Sequence, residues 1–513
     1  MPDVLLTTIN AKYAHAAFGL RYLLANMGPL RERAAILEFD LTHRPMDMVE
    51  AILAREPKIV GIGVYIWNIS LATQLVADLK RVAPQVTVVL GGPEISYETQ
   101  QQEIAGLADY IVRGEADIAF TKLCGKLLAG DRPLTKIIDA PLPKMEELAL
   151  PYECYDARDV DHRVIYVEAS RGCPFECEFC LSSLDIPVRN FPLEPFLAEL
   201  QKLIHRGVRQ FKFVDRTFNL NLGISQRILE FCLAQCEAGL GRGDGLFFHF
   251  EMIPDRLPAA LRDTIRKFPP GALQFEVGVQ TLNPAVMTLI SRRQDNAKLA
   301  ENLRFLREET GVHVHADLIV GLPGEDVESF ARGFDQLVAM RPQEIQVGML
   351  KRLRGTPIVR HDEAWGMVYS PTPPYEILQT KLIDFPAMQR MRRFAKYWDM
   401  VANSGNFVRT TPMLLQTTNS PFAGFLRFTD WLYSRVGKQH GIALSNLVEL
   451  VFRFLTDELR CDGREITPVL LDDYQRGGRS DVPPFLRMYL PQQLMAKPRD
   501  EVKAPKRQAR HLA

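Results

Sequence analysis

The sequence predicts an α/β chain in three parts: a doubly wound parallel sheet, a central open (β/α)6 barrel and a mostly helical C-terminal domain. Three observations predict this. Apolar strands alternate with helices through residues 1–130, the pattern of strands buried on both faces by crossover helices. A second alternation, of six strand–helix units, begins at Val164. From Tyr375 onward the β pattern fades and aromatic residues recur at helical spacing. The implied divisions are 1–135 for the sheet domain, 136–160 for a proline-bearing linker, 161–374 for the barrel, 375–495 for the helical domain and 496–513 for a disordered basic tail.

In the first domain strands are expected at Val4–Ile9, Ala34–Phe39, Ile59–Tyr65, Val86–Leu90 and Tyr110–Val112. The fourth ends in Gly91-Gly92-Pro93 and the fifth in Arg113-Gly114-Glu115. Ligands of such sheets bind beyond the carboxyl ends of the strands, where Gly91, Gly92 and Gly114 fall. By themselves these glycines make tight turns.

Barrel strands are expected at Val164–Glu168, Gln210–Val214, Phe247–Glu251, Leu273–Val279, Val312–Val320 and Glu344–Leu350. Chemistry in such barrels sits at the carboxyl ends of the strands. Polar residues collect there: Asp215, Glu251, Gln280 and the run Asp317 to Glu325, which contains Gly321. His313 and His315 alternate on one strand and share a face; they read as hydrogen-bonded structure. Helices are expected at Tyr375–Val401, Phe422–Val436, Ile442–Leu459 and Pro468–Tyr474, their aromatic residues serving as core.

The stretch with the most specific chemistry is Cys173-Pro174-Phe175-Glu176-Cys177-Glu178-Phe179-Cys180, just after the first barrel strand. Three thiolates at this spacing can hold three irons of a [4Fe–4S] cluster and leave the fourth iron open. Gly172 and Pro174 suit the tight loop this needs. A zinc site would want a fourth protein ligand, and none follows at finger-like spacing. Cys232 and Cys236, one helical turn apart, read as packing.

With Phe179 before the last Cys, this motif resembles the radical S-adenosylmethionine (SAM) superfamily. The preceding domain, with Tyr65-Ile66-Trp67-Asn68, Gly91-Gly92-Pro93-Glu94 and Arg113-Gly114-Glu115, is similar to the cobalamin-binding class of that superfamily. The resemblance implies a fold and cofactors: a cobalamin-binding-like sheet domain, a radical SAM barrel, a [4Fe–4S] cluster on Cys173, Cys177 and Cys180, SAM, and cobalamin.

It also implies roles for residues. Asp215 would help hold the SAM amino group, Glu251 and Gln280 would face the ribose or methionine, and Gly321 would back the adenine. Gly91, Gly92 and Gly114 would let the corrin and its nucleotide tail approach the backbone. The Asp-x-His-x-x-Gly motif that ligates cobalt is missing: His43 has the wrong spacing and His15 lacks the Asp.

The activity implied is generation of a 5′-deoxyadenosyl radical, with methylation of an unactivated carbon as the leading outcome. A cobalamin-dependent rearrangement or cyclisation is the alternative within enzymes, and a non-catalytic corrinoid or iron–sulfur sensor the alternative outside them. A methylthio-transferring enzyme would need a second cysteine set in the first domain, which has only Cys124. The expected partners are a small-molecule or natural-product substrate and an electron donor such as flavodoxin or ferredoxin. The 62 basic residues balance the 62 acidic ones, so no global field points to nucleic acid or membrane. No apolar run is long enough to span a bilayer, and the start, Met1 to Leu6, reads as a strand; a cytoplasmic location is expected.

Overall fold

The computed structural model describes residues 1–184, 187–238, 245–416, 418–490 and 505–512. Two parallel six-stranded sheets dominate it. The first contains β1 (Val4–Asn10), β2 (Ala34–Asp40), β3 (Ile59–Gly63), β4 (Thr87–Gly91), β5 (Tyr110–Arg113) and β6 (Ile137–Asp139), in the order β2-β1-β3-β4-β5-β6. Every residue of β1 is buried, because helices cover both faces. Leu5 and Ile9 pack with Met48, Leu75 and Val76 on one side. Val4 and Leu6 pack with Leu20, Phe120 and Leu123 on the other. The helix Ile69–Val82 presents Ile69, Ala72, Leu75, Val76 and Leu79 to the sheet, the spacing of a one-faced helix. Strand β6 lies within the stretch expected to be linker and pairs in parallel with β5; a three-residue strand is too short for sequence periodicity to register.

The second sheet contains β7 (Ile165–Val167), β10 (Gln210–Phe213), β11 (Phe247–Met252), β12 (Leu273–Gln280), β13 (His313–Val320) and β14 (Glu344–Met349). Its order is β14-β13-β12-β11-β10-β7, sequential and open. A two-residue antiparallel hairpin, β8 (Ser170–Arg171) with β9 (Arg189–Asn190), encloses the cysteine loop. The outer edge of β14 is covered by Asn403, whose amide exchanges hydrogen bonds of 3.0 and 2.9 Å with the backbone of Ile345, as a neighbouring strand would.

In the C-terminal part the helix expected from Tyr375 begins only at Phe385. Ile377–Gln379 (β16) instead pairs with Val368–Tyr369 (β15). The helix Pro421–Val436 has Ser420 as its N-cap, proline at its first position and Gly437 in the left-handed conformation after it, the expected start and stop chemistry. The aromatic residues are core: Phe334, on a barrel helix, meets Phe394, Trp398 and Phe422 at centroid distances of 5.1, 4.8 and 5.9 Å.

Of the tail expected to be disordered, residues 496–504 lie outside the described residues, but Lys506–Leu512 forms a helix. It closes the amino-terminal end of the barrel. Arg507 reaches Glu344 and Asp399 at 2.8 Å each, and Gln508 bonds Gln274 at 2.7 Å. The basic composition that suggested a solvated tail supplies these partners. No helix among the described residues is long and apolar enough to cross a membrane.

Candidate functional site: two facing cavities

The cysteine loop begins at Gly172, whose positive φ of 93° costs little without a Cβ. Cys180 N–H donates to the Cys177 carbonyl at 3.0 Å, and both Ser183 N–H and Oγ donate to the Cys180 carbonyl. Cys173 and Cys177 are 8% and 9% exposed. All three thiols line one cavity of about 180 Å³ at the carboxyl ends of the barrel strands, together with Arg216, Glu251, Glu276, Gln280, Arg292 and Asp317. Burial pushes the Cys173 thiol up to about 11, and the thiols of Cys180 and Cys177 add to the effect. Burial likewise raises Cys177, opposed by the Arg292 guanidinium 3.7 Å from its sulfur. Thiols crowded this way ionise when cations arrive. Among the described residues no three His, Cys, Asp or Glu side chains converge on a single ion. A cube with a separate iron for each sulfur does not need them to, so the donor set fits a cluster.

The predicted polar residues divide between two places. Glu251 and Gln280 line the cysteine cavity. Glu251 also pairs with Arg216 at 3.1 Å, and Gln280 adopts a positive φ of 68° at the end of β12. Asp215 does not line it. That side chain is 2% exposed and accepts hydrogen bonds from Ala169 N–H at 3.0 Å and Ser170 Oγ at 2.6 Å. Expected to help hold the SAM amino group, its carboxylate here holds the strand end that leads into the cysteine loop. Gly321 is also elsewhere. A Cβ there would come within 2.8 Å of Ile377 and 3.3 Å of Met388, so it packs against the appended domain and is not among the residues facing the cavity.

Sequence reasoning missed Arg292 and Glu276. Arg292 lies in an irregular turn after a short helix, held by the Gly278 carbonyl and by Gln294; nothing in its surroundings marks it. Glu276 was legible in principle, since Gln274, Glu276 and Gln280 alternate along β12. Glu276 pairs with His249 at 3.0 Å and Lys212 at 3.4 Å. Burial alone would raise its carboxyl, but these partners hold it below the usual range. Asp317 is pushed well above that range by burial and by the charges of Glu276 and Glu251. One wall of the cavity therefore carries two carboxyls that their surroundings push in opposite directions. His313 is 1% exposed and pairs with Glu344 at 3.0 Å, as structure.

A second cavity, of about 310 Å³, opens at the carboxyl ends of β3, β4 and β5 and runs between that sheet and the helices Phe18–Ala25 and Asp117–Leu128. Gly61, Gly63, Gly91, Gly92 and Gly114 line it, and no histidine among the described residues does. At Gly91 a Cβ would meet only the Val112 carbonyl, at an ordinary 3.5 Å; the space a longer side chain would take is the cavity itself. Gly92 is different. Its φ is 108° and a Cβ would sit 2.5 Å from the Val64 carbonyl, so the strand-end turn demands glycine there whatever binds. His15 faces away and bonds Tyr166 at 2.5 Å. The far wall is supplied by the barrel, through Glu168 and Arg171. Arg171 pairs with Glu168, Glu115 and Asp117, each at 2.9 Å. A glycine-lined slot of this kind leaves the backbone open to close approach by a bound group.

Comparison with known proteins follows the same division. Residues 4–124 match the B12 binding domain and residues 167–337 the radical SAM superfamily. The chain carries a B12 binding domain followed by a radical SAM domain. Residues 363–509 match a protein family of unknown function, DUF4080.

Relatives include the uncharacterized methyltransferase PH0819 of Pyrococcus horikoshii, 26% identical over 60% of this chain and 70% of that one. The cobalamin-dependent radical SAM methyltransferase TokK of Streptomyces tokunonensis is 24% identical over 61% of this chain and 49% of its own. Among solved structures, the cobalamin-dependent radical enzyme OxsB aligns with a TM-score of 0.62 over 93% of this chain and 79% of that chain, at 14% identity. The methyltransferase TsrM from Kitasatospora setae aligns with a TM-score of 0.56 over 70% and 77%, at 17% identity. The cofactors of this family are a [4Fe–4S] cluster, SAM and cobalamin. With both domains on one chain, this B12 binding radical SAM protein is an enzyme.

Proposed function

We propose that the enzyme transfers a methyl group to an unactivated carbon of a small-molecule substrate. One observation carries this reading: the two cavities adjoin, so that Arg171 lines the glycine-lined one and Cys173, two residues later, lines the other. Bound in them, the cluster supplies the electron that cleaves SAM, and cobalamin supplies a transferable methyl group.

The chain's own residues position and exclude. Cys173, Cys177 and Cys180 would each hold one iron of the cluster. Arg292 is the cation suited to the SAM carboxylate, while Glu251 and Gln280 offer acceptors to its amino group and ribose hydroxyls. Gly91 and Gly114 would leave room for the corrin, and no histidine among the described residues lines that cavity. The low-potential electron comes from a donor such as flavodoxin or ferredoxin. The helix Phe385–Val401 of the helical domain packs against β14, the open edge of the barrel sheet.

The test uses anaerobically reconstituted, cobalamin-loaded protein with methyl-labelled SAM and extracts of a deletion strain. Formation of 5′-deoxyadenosine together with a labelled small molecule supports the reading. Formation of 5′-deoxyadenosine with an unlabelled, rearranged product favours radical rearrangement, and no SAM cleavage at all favours a sensor.

A further inference from the structure

We propose that the segment Lys351–His361, which leaves the last barrel strand, is a strap that fixes the corrin-side loop against the cysteine loop and so sets the separation of the two cofactor sites. The inference rests on the functional reading above for its purpose, but its structural basis is independent of that reading.

One end of the strap grips the B12 binding domain. Glu94 follows Gly91-Gly92-Pro93 directly and is 4% exposed. Arg354 Nε donates to Glu94 at 2.9 Å, and Arg354 Nη1 and Arg352 Nη2 reach Glu98 at 3.0 and 3.1 Å. Tyr375 OH completes the set, donating to Glu94 and accepting from Arg354, both at 2.9 Å. Gly355 has a φ of 80°, and a Cβ there would lie 2.5 Å from the Tyr97 ring, so the strap must be bare where that ring presses on it.

The other end grips the cysteine loop at Glu178, the residue after Cys177. Ile358 N–H donates to the Glu178 carbonyl at 3.0 Å, while Glu178 N–H donates to the Ile290 carbonyl at 3.1 Å. The Glu178 side chain, 2% exposed, meets His361 Nε2 at 2.9 Å, Ser291 Oγ at 2.6 Å and the Arg360 guanidinium. Both backbone groups and both carboxylate oxygens of this one residue are therefore occupied.

Ile358 is four positions after Arg354. An extended chain covers at most about 3.6 Å per residue, so the two grips stay within about 14 Å. The span ends in the first residues of the 3₁₀ helix Pro357–His361, which shortens it further. Buried ion pairs of this kind roughly offset their own desolvation, so stability alone does not account for them. Forked arginine–carboxylate pairing fixes geometry, and misplacement of reacting groups by about 1 Å can cost on the order of a hundredfold in rate.

The experiment is made on Arg354→Ala, with Arg354→Lys and Glu98→Gln as milder variants that keep the fold if the first does not. Hydrogen–deuterium exchange of the full chain as purified is the first readout. Faster exchange is expected both in residues 92–99, beside the substitution, and in residues 174–180, across the strap. The second readout is the magnetic interaction between cob(II)alamin and the reduced cluster in the loaded protein. It should change from one defined separation to a broadened distribution, with iron and cobalamin content unaltered and Arg354→Lys intermediate. Exchange that changes only in 92–99, with an unaltered magnetic interaction, would overturn the strap. Wild-type protein that takes up no cobalamin would instead sink the functional reading, and the exchange measurement would still decide the strap.

Discussion

The carboxylate of Asp215 accepts the backbone N–H of Ala169 at 3.0 Å, four residues before the first cluster cysteine. The same side chain takes the Ser170 hydroxyl at 2.6 Å. Burial outweighs these bonds and pushes its carboxyl up to about 7.

The sign of the resulting pH dependence follows. A carboxyl raised in the folded state binds a proton there that the unfolded chain has already released, so stability falls as pH rises from about 4 to 7. The cost is on the order of 1.4 kcal/mol for each pH unit between the ordinary and the raised value. Asp215→Asn keeps an acceptor for Ala169 N–H and carries no charge. Its melting temperature should therefore decline less than that of the wild type between pH 5 and 8. SAM affinity should be unchanged, because the side chain does not face the cysteine cavity. Parallel melting curves across that range would refute the assignment.

Replacing Cys173, Cys177 or Cys180 by Ala removes one iron's anchor. Reconstituted variants should lose the roughly four irons expected of a [4Fe–4S] centre and all SAM cleavage, whereas Cys232→Ala and Cys236→Ala should keep both. Iron analysis and EPR of the reduced protein check this. Buried Cys232, 0% exposed, should cost only packing stability.

The two neighbouring glycines should fail in different ways. Gly91→Leu fills the cavity without straining the backbone, so cobalamin uptake should vanish while the thermal unfolding curve moves little. Gly92→Leu forces a side chain into a left-handed turn against the Val64 carbonyl and should lower stability by about 1–3 kcal/mol even without cobalamin. Equal behaviour of the two variants in binding and unfolding would contradict the distinction.

Arg292→Ala should weaken SAM binding by on the order of tenfold or more, the loss expected for a charge-assisted hydrogen bond of about 1.5–3 kcal/mol. Calorimetric titration of cluster-loaded protein with SAM measures it. Unchanged affinity would leave Arg292 as a brace for Gly278 and Gln294 alone.

Removing the terminal helix by ending the chain at residue 490 should destabilise the barrel, since Glu344 loses Arg507 and Gln274 loses Gln508. A loss of about 1.5–3 kcal/mol in unfolding free energy is expected, with the cluster and cobalamin contents retained. No change in the denaturation midpoint would show that the helix only rests on the barrel.

The sequence by itself determined the architecture and picked out the cysteine loop. Alternating apolar segments can bury themselves only as parallel sheets under helices, and three cysteines at that spacing speak through local geometry alone. It also put Gly91, Gly114, Glu251 and Gln280 at strand ends, where they line the two cavities, because the ends of parallel strands converge on one rim whatever the side chains are. What only the tertiary structure decided is which polar groups at that rim are free. Asp215 was as eligible as Glu251 until the hydrogen bonds from Ala169 and Ser170 claimed it. Gly321 looked like a cofactor wall until Ile377 and Met388 packed against it. Arg292 was invisible because its position depends on a turn held by a distant carbonyl. The terminal helix read as a solvated tail because its partners, Glu344 and Asp399, lie more than a hundred residues away, and long-range pairing leaves no periodic mark in the sequence.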